Sequence, residues 1–415
     1  MATSGSVNFN VTANDIITES LGLVGVYTPG ETLDSTETAD ALRSLNMMLK
    51  AWQPKVGLWL HRDLSLFLQD DTVKYSIGPT GTHCSSNTVV KTEVATAAAA
   101  AATSVVVDSY TGIGNTFDVD GILASSTPAA AGALTLDGAL VTNGIATLSS
   151  QRKILIYSDG DESGDTYAVV GQDAAGVAVT ESITGPNATT VYSTSTFKTI
   201  SSITISGAAT GNVSIGQVGD HIGIELTSGS MQWNNISAAV SSTTLSVVTA
   251  LSGAVAVDNH VYTYTEKTPR PIEIIEARLY KNSDYEVPLG LGGRQDYKML
   301  SNKTTEGTPN QLYYDKQLTN GVMFVWPEPN SMKEYIKFTA KIPIQDVDSL
   351  TNDFEVAQEW YEAIAWNLAV RLFPKYGKLI DPMVRDVADD MLDDAMTSDS
   401  ENASTFIQVA SSRHV

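Results

Sequence analysis

Three stretches of this chain carry residue types at spacings that could do chemistry. His61-Arg62-Asp63-Leu64 reproduces the opening of a protein-kinase catalytic loop, in which the aspartate accepts the proton of the substrate hydroxyl. The magnesium-binding Asn of that loop should follow Leu64 by four residues, and Leu68 stands there instead. Asp353-Phe354 runs on into Glu355 rather than Gly, and no Gly-rich loop precedes His61, so the match is read as chance. Asp159 to Asp165 (DGDESGD) places oxygens at alternate positions with Gly164 sixth, as in the first half of a calcium loop. The twelfth position, which should supply a bidentate Glu, is Val170, so a hairpin turn without calcium is expected. The third candidate is a pair of carboxylates about 5–9.5 Å apart across a cleft, the requirement for glycosidic cleavage. No spacing singles out such a pair among the 47 acidic residues.

Other catalytic signatures are missing. There is no G-x-S-x-G, H-E-x-x-H or P-loop. The five histidines (His61, His83, His221, His260, His414) include no two at metal-ligand spacing, and Cys84 is the only cysteine, which excludes an intrachain disulfide. The expectation is a protein that is not an enzyme, with no cofactor and no metal.

Composition narrows the partners. Lys and Arg number 25 against 47 Asp and Glu, a formal net charge of −22. Sequence-independent DNA binding needs clustered cations, and between Lys91 and Lys267 only Arg152, Lys153 and Lys198 are basic. DNA passing nearby would meet an acidic wall and slide without being held. A hydrophobic content of 42% supports real cores in two or three domains over 415 residues. No apolar run reaches membrane-spanning length, and MATSGSVNFN lacks the basic and apolar parts of a secretory signal, so folding in the cytoplasm is expected.

The elements that must position any site follow from periodicity. Thr12 can cap a helix carrying Ile16, Ile17, Leu21 and Val24. Asp34 and Glu37 have capping-box spacing before a second helix, with Leu42, Leu45, Leu49 and Trp52 on one stripe, Ala41 and Met48 beside it, and Pro54 to stop it. From about Val89 to Thr265 short alternating runs recur: Ser104–Asp108, Lys153–Ser158, Thr166–Gly171, Val177–Ile183, Ser201–Ser206, Val213–Ile215 and Val261–Thr265. Turn residues separate them, which suggests a β-sandwich or small barrels, with the alanine run Ala97–Ala102 as a linker. Past Pro269-Arg270-Pro271, Ile272–Leu279 and Tyr335–Ile342 alternate, and Gln311–Lys316 and Val322–Trp326 flank Asn320-Gly321, a hairpin signal because that pair accepts positive φ. Ala357, Trp360, Tyr361, Ile364, Ala365, Leu368 and Leu372 form a helical stripe, broken by Pro374 and Gly377. Asp381-Pro382 opens a last helix with Val384, Val387, Ala388, Met391 and Ala395 inward and Asp386, Asp389, Asp390, Asp393 and Asp394 outward.

Two blocks carry a resemblance. One runs TANDIITESLGLVGVYTPGETLDSTETADALRSLNMMLKAWQ and on through GLWLHRDLSLFLQDDTVKYSIGP; the other comprises RPIEIIEARLYKNSDYEVPL, NKTTEGTPNQLYYDKQLTNGVMFVWPEP and FEVAQEWYEAIAWNLAVRLFPKYG. Over residues 11–80 and 268–396 the chain resembles the head-to-tail adaptors of short-tailed bacteriophages, also called tail accessory or packaged-DNA-stabilising proteins. Lys153 to Gly216 also resembles the immunoglobulin-like decorations of phage virion proteins.

The resemblance implies a ring of about twelve subunits docked on the portal protein, extending the DNA channel and offering a platform to a tail nozzle or hub protein. It places the protein in the virion neck after assembly in the host cytoplasm. The fold class expected is α+β: a helical body from both chain ends plus antiparallel β hairpins, interrupted by one or two all-β modules, immunoglobulin-like or small-barrel. The expected domains are 1–88 (helical part of the body), 89–216 (immunoglobulin-like insert), 217–267 (second β module), 268–396 (hairpins and helices completing the body) and 397–415 (extended tail). Phe406, Ile407 and Val409 are the expected portal anchors, because an apolar strand at a chain end needs a partner to cover it. Trp360, Trp366, Met48 and Trp52 are the expected contacts between subunits. The β insert could touch a spike or fibre. Two other readings remain open: an adhesin gripping host glycan through Tyr192, Trp233 and Tyr262, and a peptidoglycan-cleaving enzyme.

Overall fold

A computed structural model describes residues 9–398 except 29, 31–32, 56–57, 59, 82–84, 87–88 and 282–284. Its helices are α1 (Ala13–Val24), α2 (Ser35–Lys55), α3 (Arg294–Met299), α4 (Trp360–Leu372) and α5 (Pro382–Ser398). The α+β class built on a helical body is thereby corrected. The chain is mostly β, 38% strand against 19% helix, with many sheets, one half-barrel and five helices among the described residues. The cause lies in the middle of the chain, where short Thr-, Val- and Ile-rich runs at close intervals supply most of the regular structure.

The chain forms two compact units, residues 1–60 with 343–415, and residues 61–342. The first holds four of the helices. Thr12 caps α1 in a capping box, its hydroxyl accepting the N–H of Asp15 (3.3 Å) while the Asp15 carboxylate accepts the N–H of Thr12 (2.9 Å). Gly25 ends α1 at φ 71°, a conformation that favours glycine. Helix α2 runs one residue past Pro54, within the fraying of any helix end. Ile17 and Leu21 of α1, Leu45 and Met48 of α2, and Ile364 and Leu368 of α4 share one core. Backbone joins the two chain ends as well: Ala13 N–H donates to Asn352 O and Asn14 N–H to Leu350 O, both at 2.9 Å. Asn367 donates to Ala388 O (2.8 Å) and so ties α4 to α5, whose five aspartates are all exposed.

The second unit contains three β assemblies. In the first, the sheet Tyr285–Pro288, Glu273–Lys281, Tyr335–Ile342, Leu60–Phe67, Ser85–Ser86 shares a core with the sheet Lys74–Ile77, Gly321–Trp326, Gln311–Asp315, Gly290–Gly292. The second is a sandwich. Its sheets run Thr190–Tyr192, Ile154–Ser158, Val213–Gln217, Asp118–Ser126, and Ala178–Thr184, Thr166–Gln172, Phe197–Ile205, Ile145–Arg152, Val141–Thr142, over a core that includes Ile156, Tyr167, Phe197 and Ile203. The third orders Met231–Asn235, His221–Glu225, His260–Tyr264, Val90–Thr96, Ser104–Val107 and Thr244–Ser246, and curls until Ile236 bridges Val247.

This pairing moves several expected boundaries. Strands Val90–Thr96 and Ser104–Val107 belong with residues 221–264, not with the insert assigned to 89–216. Ala97–Ala102 is no linker but a turn inside that assembly: Ala98 bridges Val255, and Ala101 sits at φ 67° with its N–H on Leu251 O (2.8 Å). The strands of residues 61–77 and 273–342 share a unit with the β modules rather than with the helices. An aromatic knot accounts for this. Phe67 is buried against Tyr262 (ring centroids 4.2 Å), Trp233 (5.9 Å) and Tyr335 (6.2 Å), and the Tyr262 hydroxyl donates to Met332 O (3.0 Å).

The expected hairpin forms, Gln311 to Asp315 pairing with Trp326 to Val322. Its Asn-Gly pair serves another purpose, since neither residue is among those of positive φ. Asn320 instead exchanges hydrogen bonds with Thr80, and a Cβ on Gly321 would fall 2.0 Å from the Tyr314 hydroxyl oxygen.

The knot gives a stability prediction. Tyr262→Ala should cost about 3–5 kcal/mol through the cavity left against Phe67. Tyr262→Phe, which strands only the Met332 carbonyl, should cost about 1–3 kcal/mol. Denaturant titration followed by circular dichroism measures both, and equal costs would show that the ring contact contributes nothing.

Candidate functional site

The residues singled out for chemistry are dispersed by the fold. His61–Leu64 lies in a strand rather than a loop; Leu64 is core, and Asp63 accepts the Thr339 hydroxyl (2.7 Å). Asp159–Asp165 does not turn a hairpin, because Ile154–Ser158 and Thr166–Gln172 belong to opposite sheets of the sandwich. Its acidic oxygens hold backbone and side-chain donors. Asp159 accepts Asn212 N–H (2.6 Å), Asp161 accepts Ser163 N–H (3.1 Å) and hydroxyl (2.7 Å), and the buried Glu162 accepts Gly211 N–H (2.8 Å), Thr210 N–H (2.9 Å) and the Ser158 hydroxyl (3.1 Å). Burial pushes the Glu162 carboxyl up, but these donors outweigh it and hold the group below its ordinary range.

The residues expected between subunits are also redistributed. Met48, Trp360 and Trp52 are 0%, 2% and 6% exposed and fill the core of the helical unit, so they are corrected to intrachain packing. Trp52 and Trp360 lie against each other at 6.3 Å between ring centroids. Only Trp366 keeps part of its surface. Helical period explains the error: Met48 faces inward and its neighbour Met47 outward, 65% exposed. Leu379 (94% exposed) and Met383 (71% exposed) are further apolar surface residues, outside any helical stripe because they sit between and at the start of helices. Phe406, Ile407 and Val409 lie outside the described residues. Of the proposed sugar platforms, Tyr262 is corrected to a buried core residue, while Tyr192 and Trp233 are half-buried.

Sequence reasoning missed the polar centre of the second unit. Arg152, fully buried, ends a sandwich strand where the sandwich meets the curled sheet. One terminal nitrogen donates to the Thr116 hydroxyl (2.5 Å) and Val218 O (3.1 Å), the other to the Ser150 hydroxyl (2.9 Å) and Thr265 O (2.8 Å). Its counter-charge, the buried Asp220, is reached through intermediates: the hydroxyls of Thr116 (2.5 Å) and Thr265 (3.0 Å) donate to the two carboxylate oxygens. Burial brings the Arg152 guanidinium down to about 10, against the pull of Asp220, so it stays charged at neutral pH. A Cβ on Gly114 would lie 2.5 Å from Asp220 Oδ2, which is why the chain is bare there. The signal in the sequence was the rarity of cations: Arg152 is one of three basic residues between Lys91 and Lys267.

His221 completes the centre. Its Nδ1 faces the Asn235 amide nitrogen (3.2 Å), which also donates to Gly219 O, so Nδ1 accepts and Nε2 carries the proton toward the Ser150 hydroxyl (3.0 Å). The ring stacks on Tyr264 at 4.7 Å. Burial, then the charge of Arg152, hold His221 well below its ordinary value. Among the described residues no three His, Cys, Asp or Glu side chains gather as a metal site, and no helix is long and apolar enough to cross a membrane.

Comparison with protein-family models, with curated proteins and with solved structures found no match to this chain.

The buried histidine sets an acid limit on stability. A folded-state value below the unfolded one means that the unfolded chain binds the extra proton. Stability from His221 is therefore present above about pH 6.5 and falls as the pH drops below it, by up to about 1.4 kcal/mol per unit. His260, also held low by burial, adds the same sign. Melting temperature should decline between pH 7 and 5, and less steeply in His221→Asn; a flat profile would count against a neutral buried His221.

Proposed function

We propose that this chain is a structural virion protein, the head-to-tail adaptor of a short-tailed bacteriophage. It acts as a ring of about twelve copies docked on the portal and presented to the tail nozzle or hub. The role is one of connection rather than catalysis, and DNA passes through the ring without specific binding. The observation that carries this reading is how the two resembling blocks meet. Strand Lys74–Ile77 of the first block pairs with Gly321–Trp326 of the second, and Leu60–Phe67 neighbours Tyr335–Ile342. Helices α1 and α2 of the first block share a core with α4 of the second. Strands between Val90 and Tyr264 pair only with one another among the described residues. Blocks far apart in sequence thus complete the same sheets and core, as two halves of one ancestral body would, and the segment between them is an excursion available to a spike or fibre. The net charge of −22 fits a channel wall that repels phosphate.

Two experiments test the reading. The purified chain should co-sediment with the portal of its own phage, and deletion of residues 399–415, with Phe406, Ile407 and Val409, should weaken that complex while leaving the melting temperature unchanged. No complex with the full-length chain would refute the adaptor assignment. Leu379→Asp and Met47→Asp should reduce ring formation on the portal without loss of stability, because both side chains are exposed. Trp360→Asp, a charge placed in the core, should instead unfold the helical unit at a cost of several kcal/mol. Native mass spectrometry beside thermal melting separates the two classes.

A further inference from the structure

A cleft of about 260 Å³ opens beside the Arg152 centre, where the sandwich meets the curled sheet. Gln151, Lys153 and Thr196 line it from the sandwich, and Trp233, Asn235 and Tyr264 from the other side. The half-buried Trp233 gives it an aromatic wall, with the buried Tyr264 edge to face behind it at 6.0 Å and itself stacked on His221.

Its polar groups fall into two sets. Some are already used: Gln151 donates to the Thr196 hydroxyl oxygen (2.8 Å) and accepts Ala174 N–H (3.0 Å). Others have capacity left among the described residues. Asn235 Oδ1 accepts nothing, the Thr196 hydroxyl proton is not donated, and the half-buried Lys153 ammonium has neither a carboxylate nor a carbonyl. The lysine is the informative one. The three basic residues between Lys91 and Lys267 all converge on this joint. Arg152 is committed to its network, and Lys198 donates to Leu148 O (2.9 Å) and Ser149 O (3.1 Å). Lys267 lines the cleft as well and donates to Gly81 O, so of these four cations Lys153 is the one that the fold leaves to meet a ligand. In a chain of net charge −22, an unpaired cation kept half-buried in a cleft favours an anion.

We propose that this cleft binds an acidic saccharide. A sugar carboxylate meets Lys153 in a charge-assisted hydrogen bond, ring hydroxyls pair with Asn235 Oδ1 and Thr196, and the apolar side of the ring lies on the aromatic wall. A simple inorganic anion would use the cations of the cleft and leave the hydroxyl partners and the rings idle. The volume lies just under the usual range of about 300–1,000 Å³ for ligand pockets, which suits a single sugar ring with its substituents. The proposal does not rest on the adaptor reading.

The test uses the full chain and ligand-observed nuclear magnetic resonance with glucuronate, galacturonate and N-acetylneuraminate. Glucose and galactose serve as neutral counterparts and acetate as competitor. At least one acidic sugar should bind saturably, and its neutral counterpart at least about tenfold more weakly. Lys153→Gln should lose a similar factor with an unchanged melting temperature. Absence of saturable binding by all three acids overturns the proposal, as does a neutral sugar binding as well as its acid. Displacement by acetate at equal concentration would reduce the site to an anion contact and overturn it too. Should Lys153→Gln fail to fold, the comparison of acid with neutral sugar on the unaltered chain still decides.

Discussion

A fully buried guanidinium with no carboxylate in direct contact is the constraint on which the second unit turns. Desolvating a charge costs several kcal/mol, and the four bonds made by the two terminal nitrogens of Arg152 offset it, while Nε is left without a partner. Arg152 finds its acceptors on four separate pieces of chain: Thr116 before the sandwich, Ser150 on its own strand, Val218 between the modules, and Thr265 at the exit of the curled sheet. No single module supplies this set. The charge can be buried only when the sandwich and the curled sheet are both formed and correctly placed, so the cost of leaving Arg152 half-satisfied excludes other arrangements. The hydroxyl relay to Asp220 adds to the demand, because Thr116 accepts from the arginine and donates to the aspartate at once. A hydrophobic joint could be equally stable, yet it would tolerate sliding that directional donors do not.

The aromatic knot performs the corresponding task at the other border of the curled sheet. Phe67 belongs to the sheet completed by residues from both resembling blocks, and Tyr262 and Trp233 belong to the excursion. Gly223 lies under Trp233, where a Cβ would approach ring carbons to 2.4 Å, so the indole lies flat on bare backbone. Lys267 reinforces the border by donating to Gly81 O just after the last strand of the excursion. Burial of large rings at such a border explains why the modules and the strands of residues 273–342 form one compact unit although, among the described residues, their strands do not pair.

What could be read from the sequence was what neighbouring residues decide. The Thr12 cap, the stripe on α4, the proline opening α5 and the hairpin before Trp326 are each set within a few turns of chain, and each is present. What could not be read was pairing between distant strands. Val90–Thr96 alternates as well as any strand of the sandwich, and nothing local says that its partner is His260–Tyr264. The weight of β structure was underestimated for the same reason, since two- to five-residue strands acquire their identity from partners far away. Side-chain direction was the other limit. A Met-Met pair cannot both face the core of a helix, and a shift of one residue exchanges the buried Met48 for the exposed Met47.

Acidity and cation placement follow a single logic. Acidic residues outnumber basic ones nearly two to one, and most are solvated, as on the outer face of α5. Cations in the excursion are too few to balance them and are not spread to try. Their gathering at one joint therefore reflects structural demand, because a lysine placed merely for solubility would sit on a strand's outer face. Lys198 caps two carbonyls at the edge of that joint and Arg152 fills its centre. Both are fixed by groups that the fold itself provides. Lys153, next in sequence to Arg152, lies between that strand and Ile154–Ser158 and lines the cleft beside the joint. The requirement that buries Arg152 thus also sets the next side chain at the mouth of the cleft, and the joint acquires an outward-facing cation from the geometry that secures its interior.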